Sequence, residues 1–284
     1  MQTEARGGPL ALLDAWGAVQ LTDSLRFRFG RFNLQYDREI LTPSAYLLAV
    51  DYSVLANTLN VDTASRVEGL EFRWAGERQR FYLTLSEGLG VAGTPFNDRR
   101  SDWGVTGRYE RLLIGDDFGQ LVQFTAPRGT PRALEWGLAV HQQHLRGLGE
   151  RFSATTDLTY QHNGFNALLQ LGAQVTEDRN GALYQEPEHD WGMVLAGGYY
   201  LTDRLEPFAR AELATTSDAM HPDLAIVTTG FNYYIFGQAL KFVTDFSVAF
   251  NGIGPAFDRS LDGFMLTGDG KNRYVFRAQI QMLF

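Results

Sequence analysis

The chain has 284 residues, no cysteine, and a formal net charge of −8 from 25 Lys and Arg against 33 Asp and Glu. That balance argues against a nucleic-acid binder, which would carry a basic patch, and the missing thiols exclude disulfide scaffolds, cysteine zinc sites and thiol catalysis. No run approaches the 18 apolar residues of a spanning helix; the mean hydropathy of −0.21 reads as soluble, but a barrel whose alternate residues face a wet lumen gives the same average.

Residues Met1 to Gly8 show no cationic start followed by an apolar run, so they are not a signal peptide. An exported barrel needs one, and the expectation is a removed leader or a late-starting reading frame. Period-two alternation then takes over. Candidate strands run over 10–21, 24–35, 67–76, 79–88, 103–114, 133–145, 151–162, 165–177, 190–202, 205–217, 223–236, 239–251 and 273–284, thirteen in all. Each has roughly the length that crosses a bilayer when tilted.

The last two strands show the pattern best. Leu240, Phe242, Phe246, Val248 and Phe250 share one face, while Lys241, Val243, Asp245, Ser247 and Ala249 share the other. Tyr274, Phe276, Ala278, Ile280 and Met282 likewise alternate with Arg273, Val275, Arg277, Gln279 and Gln281. The terminal Phe284 is read as the C-terminal assembly signal.

The connections are sorted. Short turns lie at 21–24, 75–78, 162–165, 201–204 and 236–239, and between them come longer connections at 36–66, 89–102, 178–189, 218–222 and 252–272. Short periplasmic turns and long external loops are the outer-membrane pattern. Two connections depart from it: 146–150 is short on the loop side, and 115–132 is long on the turn side. No linker divides the chain, so a single barrel domain over 1–284 is expected. Thirteen is odd, whereas bacterial single-chain barrels have even counts, so an odd number of strands is expected upstream.

Five tryptophans, Trp16, Trp74, Trp103, Trp136 and Trp191, lie at or near strand ends, as an aromatic girdle requires; the plainer reading is core aromatics of a soluble β-protein. Glu87 to Gly93 contains a G-x-G-x-x-G match, but Thr94 and Pro95 follow where a phosphate-binding helix is needed. His141 and His144, three apart on a strand, point to opposite faces. There is no G-x-S-x-G elbow and no H-E-x-x-H. Neither enzyme activity, nor a cofactor, nor a metal site is expected.

Three short motifs agree in order and spacing with a known family. They are Asp14-Ala15-Trp16-Gly17-Ala18-Val19-Gln20, then Leu25-Arg26-Phe27-Arg28-Phe29-Gly30-Arg31-Phe32, then Arg38-Glu39-Ile40-Leu41-Thr42 leading to Val50-Asp51-Tyr52-Ser53-Val54-Leu55-Ala56-Asn57. The stretch resembles the phosphate-selective porin O/P family. The resemblance implies a sixteen-stranded, usually trimeric outer-membrane barrel whose third external loop folds inward to narrow the pore. Three strands upstream would bring thirteen to sixteen and make 36–66 that constriction loop.

The family's phosphate-specific members line the lumen with arginine and lysine, and here the sequence departs. Inferred inward cations are Arg26, Arg28, Arg73, Arg80, Arg108, Arg210, Lys241, Arg273 and Arg277. Inferred inward carboxylates are Asp14, Glu71, Glu110, Glu135, Asp157, Glu206, Glu212 and Asp245. They nearly balance, so phosphate selectivity is not carried over. Arg26, Arg28, Arg31 and Arg38, leading into the inward loop, are the best candidates for an anion-attracting patch; the plainer alternative is that each pairs with a carboxylate to stiffen the wall. The expected function is a Gram-negative porin for ion transport: passive diffusion of small hydrophilic solutes through a homotrimer set in outer-membrane lipid and lipopolysaccharide. The alternative is a structural or anchoring barrel within a larger envelope complex.

Overall fold

The computed structural model describes residues 2–4, 11–59, 65–92, 94, 98–99, 101–147, 149–178, 188–216, 223–250, 252–253, 264 and 271–283. The predicted Phe284 signal lies outside these residues. The strands are β1 (Gln2–Glu4), β2 (Ala11–Gln20), β3 (Leu25–Asn33), β4 (Arg66–Ala75), β5 (Gln79–Ser86), β6 (Ser101–Ile114) and β7 (Ala133–Leu145). They continue with β8 (Gly149–His162), β9 (Phe165–Asp178), β10 (Glu188–Tyr199), β11 (Leu205–Thr216), β12 (Leu224–Phe236), β13 (Leu240–Phe250) and β14 (Arg273–Met282). All fourteen form one antiparallel sheet in which each strand pairs with the next in sequence. The thirteen long strands fall within three residues of the predicted bounds; β1, only three residues long, is too short to show alternation.

The short turns explain this order. Leu21-Thr22-Asp23-Ser24 and Leu201-Thr202-Asp203-Arg204 fold alike: the threonine hydroxyl accepts from the backbone N–H of Leu25 at 3.0 Å in one and of Leu205 at 3.1 Å in the other. At the β8–β9 turn, Asn163 and Gly164 take φ of 42° and 93°, the backbone a two-residue hairpin needs and one that Asn and Gly adopt most readily.

The two faces are inverted relative to a soluble protein. Outward positions carry Phe81, Leu83, Leu85, Val140, Leu171, Leu195 and Leu213, all exposed; inward positions carry Glu71, Arg108, Glu110, Asp157, Glu206 and Lys241, none more than 4% exposed. Each outward side chain gains about 1.5–3 kcal/mol if covered by hydrocarbon, so the belt is built for lipid. No helix among the described residues is long and apolar enough to span a membrane; the strands are the crossing elements. Aromatics mark both rims of the belt: Trp74, Tyr199 and Tyr233 on the turn side, Trp103, Trp191 and Tyr274 on the loop side. Trp16 departs from the girdle reading. It pairs with Gly30 in the same lumenal row that sets Ala18 opposite Arg28, and it lies 5.3 Å from the Arg26 guanidinium.

Leu195, midway along β10 and 50% exposed, tests the belt. Leu195→Arg is expected to cost about 2–4 kcal/mol when the protein is folded into lipid vesicles. A change within about 0.5 kcal/mol, normal for a water-facing site, would mean the face is not in lipid.

Among the described residues no ladder joins β14 to β1 or β2. The interior is filled from both ends. The β3–β4 connection enters the lumen with helices α1 (Arg38–Leu41) and α2 (Val54–Leu59), α1 being capped by the Asp37 carboxylate, which accepts from Ile40 N at 3.0 Å. The β6–β7 connection carries a 3-10 turn at Phe118–Val122 and enters from the turn side. The two meet where Phe124 N donates to the Tyr46 carbonyl at 3.2 Å. Where the inward segments rest, the lumenal rows turn apolar: Val54 and Leu55 pack with Val194, Leu224 and Ile226, and Leu47, Leu48 and Phe124 pack with Leu168 and Phe208.

The lumen as candidate functional site

The β3–β4 segment is held chiefly by its backbone. Val54 N donates to Glu212 at 2.7 Å and Val50 N to Asp245 at 2.9 Å. Carbonyls of Leu47, Leu48 and Asp51 accept from Lys241 at 3.2 Å, Asn232 at 3.0 Å and Arg210 at 2.8 Å. Two more side chains bring this set to seven, all on strands between β9 and β14: Gln281 reaches Ala45 O at 2.8 Å, and Gln170 both donates to Asp37 at 2.7 Å and accepts from Glu39 N at 3.2 Å. Exposed loops have water for these groups; a segment inside a wall must find them in the wall.

The predicted lumenal cations divide into two groups. Arg108, fully buried, donates to Asp157 at 2.9 and 3.2 Å, to Glu110 at 2.8 Å and to the Tyr36 carbonyl at 3.1 Å. Gly137 lies between Glu110 and Asp157 in the cross-strand row, and a Cβ there would come 2.6 Å from Asp157 Oδ1, so glycine leaves room for the guanidinium. Arg210 pairs with Glu212 at 2.8 Å and Glu39 at 3.3 Å, and Arg277 with Asp245 at 2.8 Å. Arg28 pairs with Glu71 at 2.6 Å and stacks 3.9 Å from the Phe32 ring centroid. Arg38, buried, donates to the Thr159 hydroxyl at 3.2 Å and to the Leu121 carbonyl. These arginines, with Lys241, fasten wall and inward segments.

The second group is free of such duty. Arg26 of β3 and Arg73 of β4 are direct cross-strand partners on the lumenal face, and neither forms an ion pair among the described residues. Arg31, expected to line the pore, is instead the cross-strand partner of Glu68 in the outward row of Phe27 and Phe29, because its position has the opposite parity to Arg26 and Arg28. Arg26 stacks on Trp16 and Arg73 lies 5.7 Å from the Tyr82 ring. Arg80 of β5 comes no nearer than 4.0 Å to Glu110. Like charges placed directly opposite are destabilising; the next pair along the same lumenal row is Arg28 with Glu71, whose one carboxylate is shared among three arginines.

Burial pushes the Glu39 carboxyl on α1 up to about 7, with Arg210 and Ser53 opposing, and that of Asp37 up to about 6, with its bond from Ile40 opposing. No group of three or more His, Cys, Asp or Glu among the described residues is placed to hold a metal ion. Sequence reasoning missed the turn-side segment: Thr125 lies within hydrogen-bond reach of Tyr200 at 2.8 Å and Glu206 at 3.1 Å, and Tyr234 donates to Glu206 at 2.5 Å. The signal for it was there in the unusual length of 115–132.

No family model matches the sequence, and no curated protein matches it. Solved structures do match. OmpT of Vibrio cholerae, folded in vitro and in its trimer form, superposes with a TM-score of 0.56 at 12% identity, over 97% of this chain and 82% of that one. The outer-membrane expressed form of OmpT gives 0.54 at 12% identity over 95% and 80%. The outer-membrane channel DcaP of Acinetobacter baumannii gives 0.54 at 10% identity over 89% and 71%. With the lipid-facing belt, these likenesses establish the fold of this chain as that of a Gram-negative outer-membrane β-barrel.

Proposed function

We propose that the chain is an outer-membrane channel for passive diffusion of small hydrophilic solutes, with a preference for anions. One observation carries this reading: Arg26 and Arg73 face each other and neither has an ion pair of its own among the described residues, while the neighbouring Glu71, and Glu110, Asp157, Glu212 and Asp245, are each paired with another arginine. The inward segments bond mainly to β6–β14, so the strip beside β2–β5 is the route left for solute, and Arg26 and Arg73 add two cations to it beyond the Arg28–Glu71 pair. Charged rows at a constriction set ion preference through their local field. Guanidinium forks suit phosphate and carboxylate, in keeping with the resemblance to phosphate-selective porins. Assembly as a homotrimer belongs to the same reading and is supported by the trimeric form of the Vibrio OmpT neighbour. Passage needs no bond-making, so no enzyme activity is proposed.

The double variant Arg26→Gln, Arg73→Gln tests it. In a planar bilayer under a salt gradient, the reversal potential is expected to move toward the cation side. An unchanged reversal potential would remove the arginine pair from the account. The filled lumen on the β6–β14 side favours a second reading, a closed structural barrel, which predicts no current from well-inserted protein.

A further inference from the structure

Between the inward segments and strands β5–β7 lies a cavity of about 150 Å³, roughly the liquid volume of five waters. Its wall carries both signs of charge. Arg80 reaches it with its guanidinium 3.9 Å from the Phe118 ring centroid and makes no hydrogen bond among the described residues. Glu135 of β7 also lines it, 3% exposed, with no hydrogen-bond partner for Oε1 and no ion pair among the described residues. Glu110, on the strand between them, is already occupied by Arg108 at 2.8 Å and the Tyr82 hydroxyl at 3.3 Å. Buried carboxylates normally have donors, so an unpartnered one turned into a cavity marks a place for a ligand that donates. The rest of the wall is mixed: Gln35, Tyr82 and Arg38 are polar, the Arg38 donors going to Thr159 and the Leu121 carbonyl and not to Glu135, while Leu41, Phe118, Leu121 and Val122 form an apolar part.

We infer that this cavity is a binding subsite for a small zwitterionic solute, an α-amino acid with a short aliphatic side chain. Its ammonium donates to Glu135, its carboxylate accepts from Arg80, and its side chain lies against Leu41 and Leu121. A simple anion would satisfy Arg80 but leave Glu135 without a donor and bring a second carboxylate beside it. A simple cation would leave Arg80 unused. The stacking of Arg80 on Phe118 leaves the edge of the guanidinium plane free for a carboxylate fork. The site binds whether or not the barrel conducts.

The test is equilibrium binding to the refolded barrel in detergent, using alanine, acetate, ethylammonium and glycerol as probes. Alanine is expected to bind saturably and each of the others at least about tenfold more weakly, because acetate and ethylammonium each forfeit one charge-assisted contact and glycerol forfeits both. Glu135→Gln and Arg80→Gln are each expected to weaken alanine binding by about tenfold or more. Glu135→Asp, which keeps the charge, should retain more binding than Glu135→Gln, and Asp203→Asn, in the exposed β10–β11 turn, should leave it unchanged. Correct folding of each variant is read from its unfolding temperature. No alanine binding would overturn the proposal. So would acetate matching alanine with no effect of Glu135→Gln, or glycerol matching alanine. Because no current is measured, these outcomes are separate from failure of the channel reading.

Discussion

Replacing Arg108 with methionine is expected to destabilise the barrel by about 3–5 kcal/mol, the cost of removing one member of a buried ionic cluster. Arg108 is fully buried and is the donor for two strands' carboxylates and for the inward segment at once, through Asp157, Glu110 and the Tyr36 carbonyl. Without it Glu110 still has the Tyr82 hydroxyl, whereas Asp157 loses both of its guanidinium contacts. Most of the loss should therefore arise at Asp157. The double variant Arg108→Met, Asp157→Leu should recover much of it, since replacing both partners by apolar groups of similar volume is often close to neutral. Denaturant unfolding in detergent, followed by tryptophan fluorescence, measures both. A loss below about 1 kcal/mol for Arg108→Met, the scale of an exposed pair, would show that water reaches the cluster.

The second large effect concerns the inward β3–β4 segment. Replacing residues 43–56 with a short glycine-serine linker is expected to raise single-channel conductance several-fold, because the segment crosses the lumen to bond with β11, β12, β13 and β14. The strands should survive. Glu212 and Asp245 lose backbone donors but keep Arg210 and Arg277. Val194 and Ile226, which the segment covers, would then face water, so a fall in stability is expected alongside the rise in current. Unchanged conductance would mean that this segment does not limit the pathway.

The strands were legible because lipid and lumen impose opposite chemistry on alternate residues, and thirteen segments keep enough of that alternation to be read, although inner positions such as Leu168, Val194 and Ile226 are apolar beneath the inward segments. The entry of the β3–β4 segment into the lumen was expected from the resemblance of Arg38-Glu39-Ile40-Leu41-Thr42 and Val50–Asn57 to porin motifs. Parity gave the face of each charged residue but not its partner. Whether Arg28 meets Glu71, or Arg26 meets Arg73, depends on cross-strand register, and a one-residue slip changes every neighbour. The near balance of lumenal charges in the sequence therefore hid an uneven distribution, with one carboxylate, Glu71, set among three arginines on β3 and β4. Arg38 was read as part of an anion patch, yet its donors go to Thr159 and Leu121, partners far away in sequence. The turn-side segment escaped for a similar reason: Thr125 and Phe124 look like loop residues until Glu206, Tyr234 and Tyr46 are beside them.

The most direct test of the channel account is the single-channel conductance and reversal potential of the refolded protein in a planar bilayer under a salt gradient. The account predicts stable current steps with a reversal potential on the anion-selective side. Well-inserted protein that gives no steps, or steps with a cation-selective reversal potential, would contradict it.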